Sequence, residues 1–396
     1  MVGMLGFGTL AVVVLAGLAG PLLGLTPRWF VPVVAGEILA GILTGPQVIG
    51  AVDPANASLS FLGEVGFAML MLTAGMHLPL RERRLAASVR RGALSAGIVC
   101  LLAVPGGVLA ASLAGTGHAA VYAVVLASGS AAVLLPALAE AGIEGPAALR
   151  VMAQVAIADI LTIVSIPIVL EPGRAGHAVL GGILVAAGAV LIWGLARMLG
   201  RHPFAHRVRH LSKTRRWALD LRMSLLFLFG LAWLAQQGGT SILIAGFGAG
   251  VTVALIGGPK RLSTQMRGVA DGFFVPLYFV ILGARLDLAG LFSSPSMLGL
   301  AGALVAVNVL IHLLGALVTR SPAAGALAAS AQPGVPAAVS SLGLADHVLS
   351  PLSATAVVAA ALVSLVVCTV GVDLMARTEA QSAEPGPAAA PAAAGS

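Results

Sequence analysis

One acidic residue stands out because of the stretch that surrounds it. Residues 151–170 read VMAQVAIADILTIVSIPIVL, and Asp159 is the only charged residue among them. The run is about long enough to cross a bilayer. A charged side chain at mid-membrane costs about 3 kcal/mol on insertion scales, so such residues usually face a partner or a water-filled cavity. Because that cost falls on the ionised form, Asp159 is a candidate for a group that holds either a proton or a cation.

The composition indicates what kind of protein surrounds this carboxylate. The chain has 396 residues, of which 59% are hydrophobic and 9% charged, whereas about 25% charged residues is typical of water-soluble domains. The sequence therefore predicts an all-α polytopic membrane protein. Its net charge of +7 does not indicate a nucleic-acid partner, because the basic residues lie in a few short loops. No nucleotide-binding glycine loop, metal-ligand cluster or nucleophile–base motif occurs, so we expect neither an enzyme nor a cofactor.

Hydropathy predicts about thirteen transmembrane helices, which places the termini on opposite sides of the membrane. With the N-terminus outside and the C-terminus in the cytoplasm, only Arg174 and Arg285 fall on the outer side, as the positive-inside rule favours. Two halves, at about 5–170 and 217–376, flank a central helix at 177–200 in one transmembrane domain, 1–376. The predicted crossings are 5–25, 30–50, 60–80, 92–114, 119–140, 148–170, 177–200, 217–236, 240–257, 269–290, 294–319, 322–345 and 352–376.

Two of these helices carry interruptions near their centres. The fifth contains Ser-Gly-Ser at 128–130, and the twelfth contains Gln-Pro-Gly-Val-Pro at 332–336. Proline removes an amide donor, and glycine lets the chain unwind. Because seven crossings separate the two helices, they run in opposite directions, as in an inverted repeat with a binding site between discontinuous helices. The alternative is that glycine and proline are simply common in transmembrane helices.

Two polar segments lie outside the predicted crossings. The loop at 201–216 carries His202, His206 and His210 at a spacing of four residues. This spacing is compatible with a metal site, but a basic segment that contacts anionic lipid also explains it. The tail at 377–396 is rich in alanine, proline and glycine, and we predict that it is disordered.

Four motifs, in order along the chain, resemble the cation:proton antiporters of the second, largely prokaryotic branch of the sodium/hydrogen exchanger superfamily. They are GEILAGILTGP at 36–46, LGEVGFAMLMLTAGMHLPLRERR at 62–84, ASGSAAVLLPALAEAG at 127–142 and FFVPLYFVILGARLDL at 273–288. The resemblance implies a thirteen-helix fold with a core domain and a dimer domain, usually a homodimer. It also implies exchange of Na⁺ or K⁺ for H⁺ by an elevator-like movement, with Asp159 as the family's essential ion-binding aspartate.

The chain departs from this family pattern at two positions. Where the family has Asp, Asn or Gln before the aspartate, this chain has Ala158, so a second acidic ligand is missing. Gln154, one turn earlier, either replaces a lost amide or is interfacial. Where many members carry a lysine or arginine, this chain has His312, which can be a titrating partner, a neutral one or a packing residue. Asn308, one turn away, is a further polar neighbour.

Other polar side chains near the predicted interruptions also allow two interpretations. Thr162, one turn after Asp159, can either ligate a cation or bond back to its own helix. Together with Asp159, the hydroxyls of Ser128 and Ser130 and the segment at Gln332 offer the oxygen ligands that hard cations prefer. Outside this set, Glu37 and Glu64 are interpreted as packing or gating residues, and Arg285 and Asp287 as a structural pair or cap.

The sequence therefore predicts a secondary transporter that exchanges a monovalent cation for H⁺ around Asp159. A single carboxylate favours 1:1, electroneutral exchange. One alternative is a proton-coupled transporter of an organic solute on the same fold, and another is a membrane sensor or structural subunit. The expected partners are Na⁺ or K⁺, H⁺, membrane lipid and a second copy of the chain. Abundant arginine, alanine and glycine are typical of a GC-rich bacterial genome, so the expected location is a bacterial inner membrane.

Overall fold

The computed structural model describes residues 6–24, 33–76, 83–200, 215, 217–238, 241–256 and 260–383. Within these ranges the regular structure is helical, and no strand occurs. The helices are α1 (Phe7–Gly17), α2 (Ala19–Gly24), α3 (Val33–Thr44), α4 (Ala57–Met76), α5 (Arg83–Ala114), α6 (Ala119–Ala127), α7 (Ala131–Glu140), α8 (Pro146–Leu170), α9 (Ala175–Gly200), α10 (Leu219–Gln237), α11 (Ile242–Ile256), α12 (Lys260–Val269), α13 (Val275–Ala284), α14 (Leu288–Ser293), α15 (Pro295–Thr319), α16 (Ala323–Ala329), α17 (Gly334–Ala345) and α18 (Pro351–Ala383).

Long apolar helices dominate the described part of the chain. Nine helical spans there are long and apolar enough to cross a membrane, and three shorter apolar helices lie at Phe7–Leu23, Val33–Thr44 and Ile242–Ile256. A helix satisfies all of its interior backbone groups internally, which is what an apolar surrounding demands. The all-helical, multi-pass architecture is confirmed. The count of thirteen crossings and the inverted repeat stay predictions.

Both predicted interruptions are present in the structure. The fifth predicted crossing is divided into α6 and α7, with extended backbone at Ser128 and Ser130. The twelfth is divided into α16 and α17, with Pro333 as the cap of α17. Pro333 and Pro336 fit this second helix because its first amides have no partner within the helix.

The last helix corrects the predicted boundary of the tail. It continues to Ala383, past the predicted end at 376, so residues 377–383 are helical rather than disordered. Arg377 pairs with Asp373 at 2.7 Å, one turn earlier, and Ala, Glu and Gln in this segment favour a helix. The rest of the predicted tail lies outside the described residues, and so do the three histidines of the loop at 201–216.

The tenth predicted crossing also has a finer structure than its hydropathy indicated. The helical region begins earlier than predicted, with α12, and continues through a π-helical turn at Ala270–Phe274 into α13, which ends at Ala284 rather than near 290. Asp287 then caps the short helix α14 by accepting a hydrogen bond from Gly290 N at 2.8 Å. The capping interpretation of Asp287 therefore matches the geometry, while Arg285 donates to Ser60 Oγ at 3.0 Å.

Candidate functional site

Asp159 lies near the middle of α8 and is 9% exposed. Its Oδ2 accepts a hydrogen bond from Ala131 N at 3.1 Å. Ala131 is the first residue of α7, so its amide is one of those that a helix leaves without an internal partner. The N-terminal end of a helix carries partial positive charge. The interruption before α7 therefore supplies a donor to the carboxylate.

The two interrupted helices meet at Ser128, three residues before Ala131 in the chain. Ser128 Oγ lies 3.1 Å from Gln332 Oε1 and 2.7 Å from Val125 O, and both Ser128 and Gln332 are buried. On the other side, Gln332 N donates to Ser364 Oγ at 3.2 Å. The structure thus brings together two segments that the sequence separates by 204 residues.

Thr162 lies on α8, one turn after Asp159, and Ser130 immediately precedes α7. Thr162 Oγ1 donates to Ala158 O at 2.8 Å, which is the back-bonded arrangement. Its oxygen keeps lone pairs, so this bond does not prevent it from contacting a cation. Ser130 is buried at the start of α7, and its side chain makes no capping hydrogen bond.

Asn308 and His312 lie at the second interruption. Asn308 Nδ2 donates to Ser330 O at 3.0 Å, and Ser330 caps the C-terminal end of α16. His312 Nδ1 is 2.9 Å from Asn308 O. Because a carbonyl oxygen can only accept, Nδ1 carries the hydrogen in this contact. Within the described ranges, no hydrogen bond or ion pair joins either side chain to Asp159, so both serve the end of the half-helix.

Gln154 does not replace the missing amide beside Asp159. Its Oε1 accepts a hydrogen bond from Ser95 Oγ at 2.8 Å, which ties α8 to α5. Gln154 also lines a cavity of about 80 Å³ at the start of α8, together with Arg91, Arg150 and Glu379. Ser95 precedes Gln154 by 59 residues, and nothing in the sequence indicated that the two side chains pair.

A much larger cavity, of about 960 Å³, lies at the other end of α8. Pro167, Leu170 and Glu171 line it, and Phe67 and Tyr278 also contribute to its wall. At 1.5 Å per residue, Asp159 is about 12 Å along the helix from Pro167 and about 8 Å from Gln154. The carboxylate therefore lies between two cavities of very different size.

The large cavity carries more acidic than basic side chains. Its lining includes Glu64, Glu171 and Asp346, against Arg285 and His347. A cleft lined by one sign of charge raises the local concentration of oppositely charged ions. This cavity therefore favours cations over anions.

Two contributors to the site were not predicted from the sequence. One is the backbone amide of Ala131, which the sequence could have indicated only as the first helical position after Ser-Gly-Ser. The other is Ser364 of α18, whose hydroxyl accepts from the amide of Gln332. Nothing in its own stretch, SATAVVAAALVSLVV at 353–367, marks it as part of a site.

A multi-pass helical bundle with a buried carboxylate at interrupted helices is the architecture of a membrane transporter. Residues 9–378 match the family described as "Sodium/hydrogen exchanger, transmembrane". The chain belongs to this family, and the resemblance inferred from the four motifs is confirmed. Its members are transporters, so the expectation that the chain is not an enzyme also holds.

Known relatives and a solved structure agree with this assignment. YjbQ of Bacillus subtilis (strain 168) is 27% identical over 311 residues, which cover 73% of this chain and 49% of YjbQ. GerN of Bacillus cereus, described as a Na⁺/H⁺-K⁺ antiporter, is 23% identical over 286 residues, 72% of each chain. The structure of the sodium proton antiporter MjNhaP1 from Methanocaldococcus jannaschii matches with a TM-score of 0.61 at 17% identity and covers 94% of this chain and 97% of MjNhaP1. The similarity to MjNhaP1 concerns the fold alone. This chain spans about half the length of YjbQ.

Proposed function

We propose that the chain exchanges a monovalent cation, Na⁺ or K⁺, for H⁺ across a membrane, with Asp159 as the shared binding group. The observation that carries the proposal is the position of this carboxylate. It is buried, it is oriented by the amide of Ala131, and it lies between cavities at the two ends of α8.

Competition for one carboxylate couples the two ions without a chemical step. When the site binds a proton it cannot bind the cation, and alternating access then carries either species to the other side. Ala158 leaves no second carboxylate beside Asp159 in the helix. One cation therefore exchanges for one proton, and the exchange is electroneutral.

The proposed cation ligands are the carboxylate of Asp159 and the hydroxyl oxygens of Ser130 and Thr162. Ser128 and Gln332 hold the two interruptions against each other and so position these oxygens and the nearby backbone carbonyls. The side-chain amide of Asn308 neutralises the carbonyl end of α16. It takes the place of the charged side chain that is common in the family, and His312 is hydrogen-bonded to the backbone carbonyl of Asn308. Gln154 fixes the start of α8.

The names of the relatives support a cation as the substrate. GerN is described as a Na⁺/H⁺-K⁺ antiporter, and MjNhaP1 as a sodium proton antiporter. No comparable similarity supports the alternative of an organic solute. Na⁺ and K⁺ both remain within the proposal, because oxygen ligands suit either ion.

The proposed setting is a bacterial inner membrane, with the N-terminus outside and the C-terminus in the cytoplasm. In this orientation the large cavity, at the outer ends of α4, α8 and α17, opens to the outside. The described conformation is then open outward and nearly closed inward. As implied by the family resemblance, we further propose a homodimer in contact with membrane lipid.

The test is ion exchange by the purified full-length chain in liposomes. Li⁺, Na⁺ or K⁺ is added to vesicles with an imposed pH gradient, and a pH-sensitive dye reports its dissipation. We expect at least one cation to dissipate the gradient, and we expect Asp159→Ala to respond as empty vesicles do. The control is Asp373→Ala, which removes an exposed carboxylate that pairs with Arg377.

Two results contradict the proposal. If none of the three cations dissipates the gradient, the substrate is of another class. If a clamped membrane potential changes the extent of exchange, or if transport itself generates a voltage, the exchange is not electroneutral and a second charge moves in each cycle.

A further inference from the structure

A second buried acid, Glu37, plays no part in the site described above. It lies in α3 and is 3% exposed. Its Oε2 has no hydrogen-bond partner among the residues that the structure describes. An ionised carboxylate in a dry interior without a partner is strongly disfavoured, so the neutral acid is the form that this packing accommodates.

The packing around Glu37 is close and built on glycine. A Cβ added at Gly20 of α2 would lie 2.5 Å from Val33 O and 3.0 Å from Glu37 Cγ. A Cβ at Gly36 would lie 2.7 Å from Gly20 Cα. The Glu37 side chain therefore packs against α2 at the place where Gly20 lacks a side chain, and hydration of an ionised form requires α2 and α3 to move apart.

The charged residue that acts electrostatically on Glu37 is another carboxylate. Asp271 lies in the π-helical turn Ala270–Phe274, where it is exposed, and its negative charge acts on Glu37. Repulsion between like charges further disfavours the ionised form of Glu37. A π-helical turn is rare and frequently marks a functional position.

The other elements packed against α3 offer no positive charge that the structure describes. Neither α1 nor α2 contains a titratable residue, and α13 contains only Tyr278, which stacks on Phe67 and donates to Ala337 O. Arg267 lies on α12, four residues before Asp271. Arg28, which precedes α3 in the sequence, falls outside the described residues.

We propose that Glu37 is a second proton-binding site of the chain, separate from Asp159. Glu37 is protonated in this conformation, and its ionisation loosens the contact between α2 and α3. An ionised Glu37 gains hydration only if these two helices separate, so proton release is linked to that opening. The inference does not depend on what the chain transports.

The position of α3 gives this opening a route to the rest of the molecule. Ala35, two residues before Glu37, belongs to the hydrophobic cluster that contains Ala131 of α7 and Val155 of α8. Ile38, one residue after it, belongs to the main cluster of the bundle. A change in the packing of α3 therefore reaches both groups of helices.

Infrared spectroscopy of the full-length protein tests the protonation directly. At neutral pH we expect a protonated-carboxyl C=O band that is absent from Glu37→Gln and present in Asp159→Asn. With carbon-13 glutamate in the wild-type chain, the same band shifts to lower frequency, a result that does not rely on a variant. If the isotope leaves the protonated-carboxyl region unchanged, Glu37 is ionised and the proposal is overturned.

Amide hydrogen exchange tests the opening. After correction for intrinsic exchange, we expect protection of α2 and α3 to fall as the pH rises in the wild type, but not in Glu37→Gln. Asp271→Asn removes the repulsion on ionised Glu37, so the loss of protection should begin at lower pH. Glu144→Gln, an exposed loop substitution, should behave as the wild type. Equal protection in the wild type and Glu37→Gln at every pH would overturn the linkage.

Discussion

Asp159 and Glu37 are both carboxylic acids buried in apolar helices, and their surroundings differ in two respects. Asp159 accepts a hydrogen bond from the N-terminal end of α7, and its helix reaches a cavity at each end. Glu37 has an oxygen without a partner in the described structure and lies between helices in backbone contact. Burial alone therefore does not define a transport site. An oriented donor and cavities at both ends of its helix distinguish the first acid from the second.

The largest effect on transport should come from replacing Asp159, which has both an oriented donor and cavities at the two ends of its helix. Asp159→Asn keeps the size of the side chain and its acceptor oxygen but removes the charge that binds a cation, so we expect exchange to fall to the rate of empty liposomes. Glu37→Gln should instead change how the rate depends on pH. Initial rates of dye-reported exchange over a range of pH separate these outcomes. Loss of transport at all pH values in both variants would mean that the two acids act as one site.

The second-largest effect is expected on thermal stability, when the packing around Glu37 is changed. Gly20→Ala places a methyl group against Val33 O and Glu37 Cγ, and such overpacking typically costs about 1–3 kcal/mol. We expect a lower Tm for this variant. The matched control is Gly8→Ala in α1, where a Cβ would meet no atom within 4 Å. Equal Tm values for the two variants would show that α2 yields easily and that the space around Glu37 is not tight.

A smaller effect is expected at the junction of the two interruptions. Ser128→Ala removes the hydroxyl that contacts both Val125 O and Gln332 Oε1, and a buried acceptor left without a partner costs about 1–3 kcal/mol. We expect a lower Tm and a reduced exchange rate. Ser112→Ala is the control, because the exposed Ser112 hydroxyl donates to Leu109 O of its own helix. An unchanged rate in Ser128→Ala would show that this contact does not position the site.

The smallest effect is expected at Thr162. Thr162→Val removes one weak cation ligand, which is worth about 1 kcal/mol or less, so the cation concentration for half-maximal exchange should rise by no more than about fivefold. Thr162→Ser keeps the oxygen and should retain the wild-type value. If Thr162→Val also retains that value, the hydroxyl bonds only to its own helix and is not a ligand.

Some features of the fold follow from neighbouring residues and were predictable for that reason. Long apolar runs indicated the multi-pass helical class, and Ser-Gly-Ser at 128–130 and the two prolines after Gln332 indicated where helices are interrupted. The end of the last helix was misplaced because hydropathy stops at 376, whereas helix propensity and the Asp373–Arg377 pair continue the helix to Ala383.

The candidate site was predictable only in part. Asp159 was recognisable as an isolated acid, but the role of Gln154 was not, because its partner Ser95 lies on another helix. Likewise, Asn308 was predicted only as a polar neighbour of His312, and the hydrogen bond from its amide to the carbonyl end of α16 was not predicted. Polar residues on different helices pair according to how those helices pack, and hydropathy carries no information about this.

The sequence by itself determined the membrane class, the solitary carboxylate in α8 and the two breaks, because each is a property of consecutive residues. Only the tertiary structure decided that the breaks meet through Ser128 and Gln332, that Ala131 donates to Asp159, and that Oε2 of Glu37 has no hydrogen-bond partner among the described residues. These contacts depend on which helix faces meet across the bundle. Glycines such as Gly20 fix that arrangement by allowing backbones to touch, an effect visible only once the partner helix is known.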